Sequence, residues 1–291
     1  MFRHVSKIVA TCLLAALAAG CATSSLTAPD KHVTKLAGGF RFTEGPAADT
    51  AGNVYFSDIP NEKIHIWSVD GELKTFRENT GRANGNFFDE AGNLLSCEGG
   101  ARRVTLTDMA GNTSTLVDAY QGRPLNSPND LWIDPKGGVY FTDPRYGNMD
   151  GLEQGGFHVY YLSPNRKYCR RVADDLAKPN GLIGTPDGTK LYIADPGDNK
   201  TYAYTIEPDG RLANKRLFCT EGSDGMTIDN RGNIYLTRNA VLVFNPAGQQ
   251  IDTIETPERP ANVCFGGPDR DTLFITARTS IYSVKMSVRG Y

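Results

Sequence analysis

Six short motifs, each a tight turn feeding a strand, return along this chain at nearly regular intervals, and no other feature restricts its fold as much. They are Ala51-Gly52-Asn53-Val54-Tyr55-Phe56-Ser57-Asp58, Ala91-Gly92-Asn93-Leu94-Leu95-Ser96-Cys97-Glu98, Lys136 to Asp143, Asp187 to Asp195, Arg231 to Arg238 and Arg270 to Ala277. Their turn positions, 52, 92, 137, 188, 232 and 271, step by 40, 45, 51, 44 and 39 residues. A repeat of ~40 to 50 residues, with room for about four strands in each, is the spacing of propeller blades. The expectation is an all-β, six-bladed β-propeller. The sixth unit runs out after a third strand, Ser280 to Met286, while the chain begins with a spare one, Val33 to Ala37. The N-terminal strand is therefore expected to complete the last blade and close the ring, leaving no open sheet edge there.

The N-terminal stretch divides the chain further. Arg3 and Lys7 precede an apolar run from Ile8 to Ala19, and Leu17-Ala18-Ala19-Gly20-Cys21 follows. That run is too short to span a bilayer and has the small-residue ending of an export signal. Its last five residues resemble a bacterial lipobox. Residues 1–20 are accordingly expected to be a lipoprotein signal peptide, 21–32 a tether from a lipidated Cys21, and 33–291 the propeller. With Ala22 after the cysteine, the expected destination is the outer membrane, facing the periplasm. The net charge is -2, which gives no electrostatic case for nucleic acid or for direct contact with an anionic membrane. Membrane contact is expected only through the lipid, and no feature suggests an assembly larger than a monomer. Cys97, Cys169, Cys219 and Cys264 match no zinc spacing, and export leaves a disulfide among them open.

Chemistry is sought in the phase of the repeat. Eight residues before the first five turn positions stand Glu44, Asn84, Asn129, Asn180 and Asp224, and nine before the sixth stands Asn262. All are carboxylates or carboxamides at the start of the innermost strand, so they should converge on one end of the central channel. Turn propensity would explain Asn84, Asn180 and Asp224, each followed by Gly, but not Glu44, Asn129 or Asn262. A second ring is expected where the next strands return to the same face, with Asp58, Glu98, Asp143, Asp195 and Arg238 and with Ala277-Arg278 in the last unit. Loops 120–128 and 144–156 should wall the pocket. An oxygen-only set of Glu44, Asn180 and Asp224, with Asn129 beside it and no histidine in phase, suits one hard divalent cation. Calcium is favoured over zinc, and manganese and magnesium remain candidates. No Gly-Xaa-Ser-Xaa-Gly elbow, phosphate loop or dinucleotide fingerprint is present, which disfavours serine nucleophile chemistry.

Phe42-Thr43-Glu44-Gly45-Pro46, Ala83-Asn84-Gly85, Ser127-Pro128-Asn129-Asp130-Leu131, Phe141 to Gly147, Lys178-Pro179-Asn180-Gly181-Leu182 and Ser223-Asp224-Gly225-Met226 occur in this order. Together they resemble the senescence marker protein 30, gluconolactonase and luciferin-regenerating enzyme family. The resemblance covers the chain beyond the tether. It implies a six-bladed propeller with one axial divalent metal held by Glu44, Asn180 and Asp224, and with Asn129 as a further ligand or substrate contact. The implied activity is hydrolysis of a sugar-type lactone, with Asp224 as general base and Asn129, Asn84, Asn262, Asp143 and Arg145 around the substrate. Hydrolysis of phosphotriesters on the same site, and a non-catalytic calcium- or sugar-binding surface lipoprotein, are the alternatives. Two departures limit the transfer: Ser127 stands where animal members carry Arg, and Glu98-Gly99-Gly100 lacks a His found in many bacterial relatives.

Overall fold

Alternating runs rich in Val, Tyr, Ile and Phe, broken by Asp-Gly and Asn-Gly turns, give short antiparallel strands that bury one another. The computed structural model describes Met1, Leu26, Ala28 and residues 32–291, so the signal peptide, Cys21 and most of the tether lie outside the described residues. Six four-stranded sheets form, each in the order of the chain except the last. The first blade holds Thr43–Ala48, Val54–Asp58, Lys63–Trp67 and Leu73–Glu78. The innermost strands of the next four blades are Ala83–Phe88, Leu131–Ile133, Leu182–Gly184 and Met226–Ile228. The sixth blade places Asn262–Gly266, Thr272–Ala277 and Ser280–Lys285 beside the N-terminal strand Thr34–Gly38, which pairs antiparallel with the last of them. The expected closure is thus the observed one.

Burial follows strand position. Second strands such as Val54–Asp58, Leu94–Glu98 and Val139–Asp143 are buried at every residue, while the outer strand Thr113–Val117 is exposed over its first three. Apolar side chains therefore sit between neighbouring blades, where Trp132, Tyr140, Tyr192 and Phe218 join one large cluster. A small hairpin, Ala119–Tyr120 with Arg123–Pro124, interrupts the connection into the third blade.

The turns between first and second strands that open on aspartate, at Asp49, Asp89, Asp134 and Asp229, share one device. Asp49 Oδ1 accepts the N–H groups of Ala51 at 3.0 Å and Asn53 at 2.9 Å, and its Oδ2 accepts Asn53 Nδ2 at 2.8 Å. Asp229 repeats this with Arg231 and Asn233. Gly52 at φ +92° and Gly232 at φ +78° supply the left-handed residue that such turns need. The sixth turn differs. Gly266 pairs with Thr272 across residues 267 to 271, whereas Asp134 meets Gly138 across only 135 to 137. Two extra residues shift the repeat count in that blade, with a consequence for the site.

Candidate functional site

Each innermost strand is entered through a residue that bonds back to the second strand of its own blade. Asn129 N donates to Thr142 O at 2.9 Å, Asn180 N to Ala194 O at 3.0 Å, Asp224 N to Thr237 O at 3.2 Å and Ala261 N to Thr276 O at 2.8 Å. Glu44 is the register partner of Ser57 and falls at the same level. The residue at this level in the sixth blade is therefore Ala261. Asn262, expected in the ring, stands one step deeper because the long turn displaces the count.

Two members of the expected set, Asn180 and Asp224, meet, and Glu44 stands near enough to Asp224 for their charges to interact. Asn180 Nδ2 donates to Asp224 Oδ1 at 2.7 Å and to the Tyr146 hydroxyl at 2.8 Å. Glu44, 4% exposed, has its Oε2 on Gly45 N at 2.7 Å. Burial pushes the Glu44 carboxyl well above the usual range, and the Asp224 charge adds to the rise, which places the two acids in one electrostatic neighbourhood. Asp224 is also raised by burial, and the Asn180 hydrogen bond, Arg259 and Arg278 pull it back. Asn129 lies at the same level, its carbonyl accepting Gly85 N at 2.8 Å. Half-buried Asn84 offers its carbonyl to Ser57 Oγ at 2.7 Å and to Asn86 Nδ2 at 3.0 Å.

Directly beneath is a floor that the repeat did not reveal. At the deeper level four blades carry Gly45, Gly85, Gly181 and Gly225, and the other two carry Asp130 and Asn262. The third and sixth blades stand opposite one another in a six-bladed ring, and Asn262 Nδ2 reaches Asp130 Oδ2 at 3.5 Å. The glycines make room. A Cβ on Gly225 would lie 1.9 Å from Asn262 Cγ, and one on Gly85 would lie 2.3 Å from Asp130 Oδ1. Buried with no basic partner, Asp130 has its pKa pushed up to about 7. Beyond the floor a cavity of about 380 Å³ is lined by apolar inner-strand residues such as Leu182 and Val263 and by turn residues Thr50 and Pro186, so it opens at the opposite face.

The second ring has another task. Asp143 is fully buried, and its two oxygens accept the N–H groups of Asn126 and Ser127, each at 2.7 Å. Burial still raises its pKa to about 7 against the pull of those N–H groups. Asp195 holds Ala177 N and Lys178 N in the same way, and Asp58 holds Arg41 N and Phe42 N. Glu98 is instead a buried ion-pair partner of Arg77 and Arg103. These side chains fasten the loops that enter the innermost strands. Asp143 is thus a loop anchor where a substrate contact was expected. Arg145 likewise spends its guanidinium on carbonyls, Asp150 O at 2.7 Å and Asn126 O at 2.6 Å.

Tyr146 and Lys178 were not singled out by the sequence. Lys178 Nζ lies 4.2 Å from the centroid of the Tyr146 ring, whose hydroxyl contacts Asn180, so both stand over the site. His65 packs among Phe40 and Phe56, and His158 Nε2 lies 3.2 Å from Gln154 O, which leaves neither on the axis. The four described cysteines are free thiols.

The donor set suits a hard cation. Buried Glu44, half-buried Asp224 and the Asn180 amide stand together, and no basic side chain among the described residues hydrogen-bonds either carboxylate. No three His, Cys, Asp or Glu side chains cluster among the described residues, so a site here must draw on amides as well.

A family model described as SMP-30/gluconolactonase/LRE-like region matches residues 42–279. The chain is similar to the gluconolactonase of Zymomonas mobilis, 29% identical over 88% of this chain and 81% of that one. It is 32% identical to the lactonase drp35 of Staphylococcus saprophyticus over 82% and 78% of the two chains. A solved gluconolactonase from Xanthomonas campestris superposes with a TM-score of 0.83 at 30% identity, covering 90% of this chain and 91% of that one.

Proposed function

This chain belongs to the SMP-30/gluconolactonase/LRE-like family and is a lactonase-type hydrolase, and on that premise we propose a metal-assisted hydrolysis of sugar-type lactones at the Glu44, Asn180 and Asp224 cluster. The observation that carries the proposal is the hydrogen bond from Asn180 to the Asp224 carboxylate at the mouth of the axis, with the buried Glu44 carboxylate close enough to Asp224 for each charge to act on the other. Glu44, Asn180 and Asp224 would hold a divalent cation, calcium by the hardness of the oxygen donors. When bound, such an ion supplies Lewis-acid polarisation of the lactone carbonyl and stabilises the developing oxyanion.

The chain's own residues do the rest. Asp224 accepts a proton from the attacking water through the carboxylate oxygen that Asn180 does not occupy. Asn180 fixes the Asp224 rotamer, and the Tyr146 hydroxyl fixes Asn180 in turn. Asn129 and Asn84, at the same level, would hydrogen-bond the sugar hydroxyls. Asp130 and Asn262 close the axis below, so that substrate and water enter from the loop face alone.

The test is a pH-indicator assay on sugar lactones with wild type and Asp224→Ala. Loss of a general base should lower kcat by ~10² to 10⁴ while the melting profile stays cooperative. An Asp224→Ala protein with full activity refutes the assignment. Calcium at 100 times its Kd should stabilise the wild type by ~2.7 kcal/mol in the same melts, and Glu44→Gln should abolish most of that gain. Export with lipid attachment at Cys21 is part of the proposal, supported by the Leu17 to Cys21 ending. Cys21→Ser should move the protein from the membrane to the soluble fraction.

A further inference from the structure

With Ala261 rather than Asn262 at ring level, the positions two residues before the ring become Phe42, Arg82, Ser127, Lys178, Gly222 and Arg259. Cations thus occupy the second, fourth and sixth blades, alternating around the mouth. A fourth, Arg278, joins them from the neighbouring loop. Its carbonyl accepts Thr43 N at 2.8 Å, and its guanidinium lies 5.7 Å from the Phe42 ring centroid, two residues from Glu44.

None of these four forms an ion pair among the described residues, although acids are near. Glu221 is taken by Arg238 at 3.3 Å, and Glu153 by Arg102 at 3.3 Å. Glu258, three residues before ring level, is covered by Ser280 Oγ, Tyr282 OH and Thr279 N. Lys178 rests on an aromatic face, and Arg259 Nε donates to Arg238 O at 3.2 Å. Arg82 and Arg278 are exposed, as is Arg259. On a protein of net charge -2, the loop face over the site thus carries four cations that form no ion pair among the described residues, two of which, Arg259 and Arg278, face the Asp224 charge.

Cations spaced around one mouth without ion-pair partners raise the potential there for an anion. We propose that the substrate is a lactone of a sugar acid bearing a second, anionic group remote from the lactone carbonyl, a carboxylate or a phosphate, which Arg82, Lys178 and Arg259 receive. The inference rests on the lactonase reading above and narrows its substrate class. The reacting carbonyl sits at the ring, and the remote anion lies toward the rim. Neutral aldonolactones fill the first position and leave the second empty.

The experiment compares matched lactones: glucarolactone against gluconolactone of the same ring size, and phosphogluconolactone against gluconolactone, with calcium present throughout. The wild type should favour one charged member by ~10-fold or more in kcat/KM, the value of one charge-assisted contact. The ratio should fall toward one in Arg82→Ala/Lys178→Ala/Arg259→Ala and in high salt, and it should survive in Arg82→Lys/Arg259→Lys. Which charged member wins tells carboxylate from phosphate. A ratio near one in wild type, or one that the triple variant leaves unchanged, overturns the inference while leaving lactone hydrolysis intact. Should no lactone turn over, the lactonase reading fails, and calorimetry of glucarate against gluconate decides the rim separately. Glucarate binding that the triple variant loses upholds the inference, and equal or absent binding overturns it.

Discussion

Gly225→Ala is the sharpest probe of the axial floor. The residue has an ordinary negative φ, so alanine brings no backbone strain and the whole effect is steric. The new Cβ would lie 1.9 Å from Asn262 Cγ and 2.0 Å from its Oδ1. Asn262 cannot turn aside freely, because that oxygen accepts Val263 N at 2.8 Å and its Nδ2 faces Asp130. Overpacking costs roughly 1 to 3 kcal/mol, and a displaced hydrogen bond adds about 1. At about 2 to 4 °C per kcal/mol for a domain of this size, the melting temperature should fall by roughly 5 to 15 °C. The second variant, Gly225→Ala/Asn262→Ala, removes the obstacle and should melt at or above the single Gly225→Ala protein. That opposes additivity by ~1 kcal/mol or more. A Gly225→Ala protein melting within 2 °C of wild type, or a double variant that merely sums the singles, would show that position 225 and Asn262 do not meet between the fifth and sixth blades.

Other predictions concern charge. Asp130 titrates at about 7 when folded and near 3.8 when unfolded, so the folded state holds the extra proton between those values. Its contribution to stability is intact below 3.8, declines as pH rises, and is fully lost above about 7. Asp130→Asn lacks this loss, and between pH 5 and 8 in chelator its unfolding free energy should fall by roughly 2 to 3 kcal/mol less than that of wild type; parallel curves would contradict the raised pKa. Asp143→Asn should lower stability by ~2 to 3 kcal/mol with little change in KM, because it breaks the hold on Asn126 N and Ser127 N. A raised KM with unchanged melting would restore Asp143 to the substrate. Tyr146→Phe, which frees Asn180 Nδ2, should weaken calcium stabilisation about 3- to 10-fold in apparent Kd, measured by titrated melts.

Most of the fold is legible in the sequence because a propeller repeats one physical unit. Each blade needs a tight turn and a second strand that is buried and opens on apolar residues, and both leave marks in the copies, as in Asp49 to Phe56 and Asp134 to Phe141. Glu44, Asn180 and Asp224 are legible for the same reason, since in five blades eight residues separate the ring residue from the turn glycine, the one extra residue of the fourth turn falling after its glycine. Asn262 was misplaced where that count fails. The extra residues around Gly267 to Asp271 lengthen one turn without disturbing the ladder beyond it, and counting from the turn cannot detect this. In the second ring only Asp143 was expected at the substrate, and its role is hidden in the sequence for a different reason. A strand-ending aspartate has the same sequence whether it faces substrate or its own loop, and only the paired backbone N–H contacts at Asp58, Asp143 and Asp195 distinguish the cases.

The floor explains why one level of this axis can be chemical and the next merely structural. Six inner strands converge so closely that Gly85 N, Gly181 N and Gly225 N each hydrogen-bond a carbonyl of the following blade, at 2.7 to 2.8 Å. At that spacing the deeper level has room for two side chains, and four glycines leave the space to Asp130 and Asn262. The level above is nearer the open face and accommodates Glu44, Asn84, Asn129, Asn180 and Asp224 together. A polar group placed in the deeper level must satisfy its neighbour across the axis. One placed above can leave oxygens unpaired toward an ion or a substrate. Exchanging the levels, as in Gly181→Asp, should therefore cost stability before it alters activity, since its Cβ would already lie 2.6 Å from Asp224 O. A Gly181→Asp protein that melts like wild type would mean that the axis is wider than these contacts require.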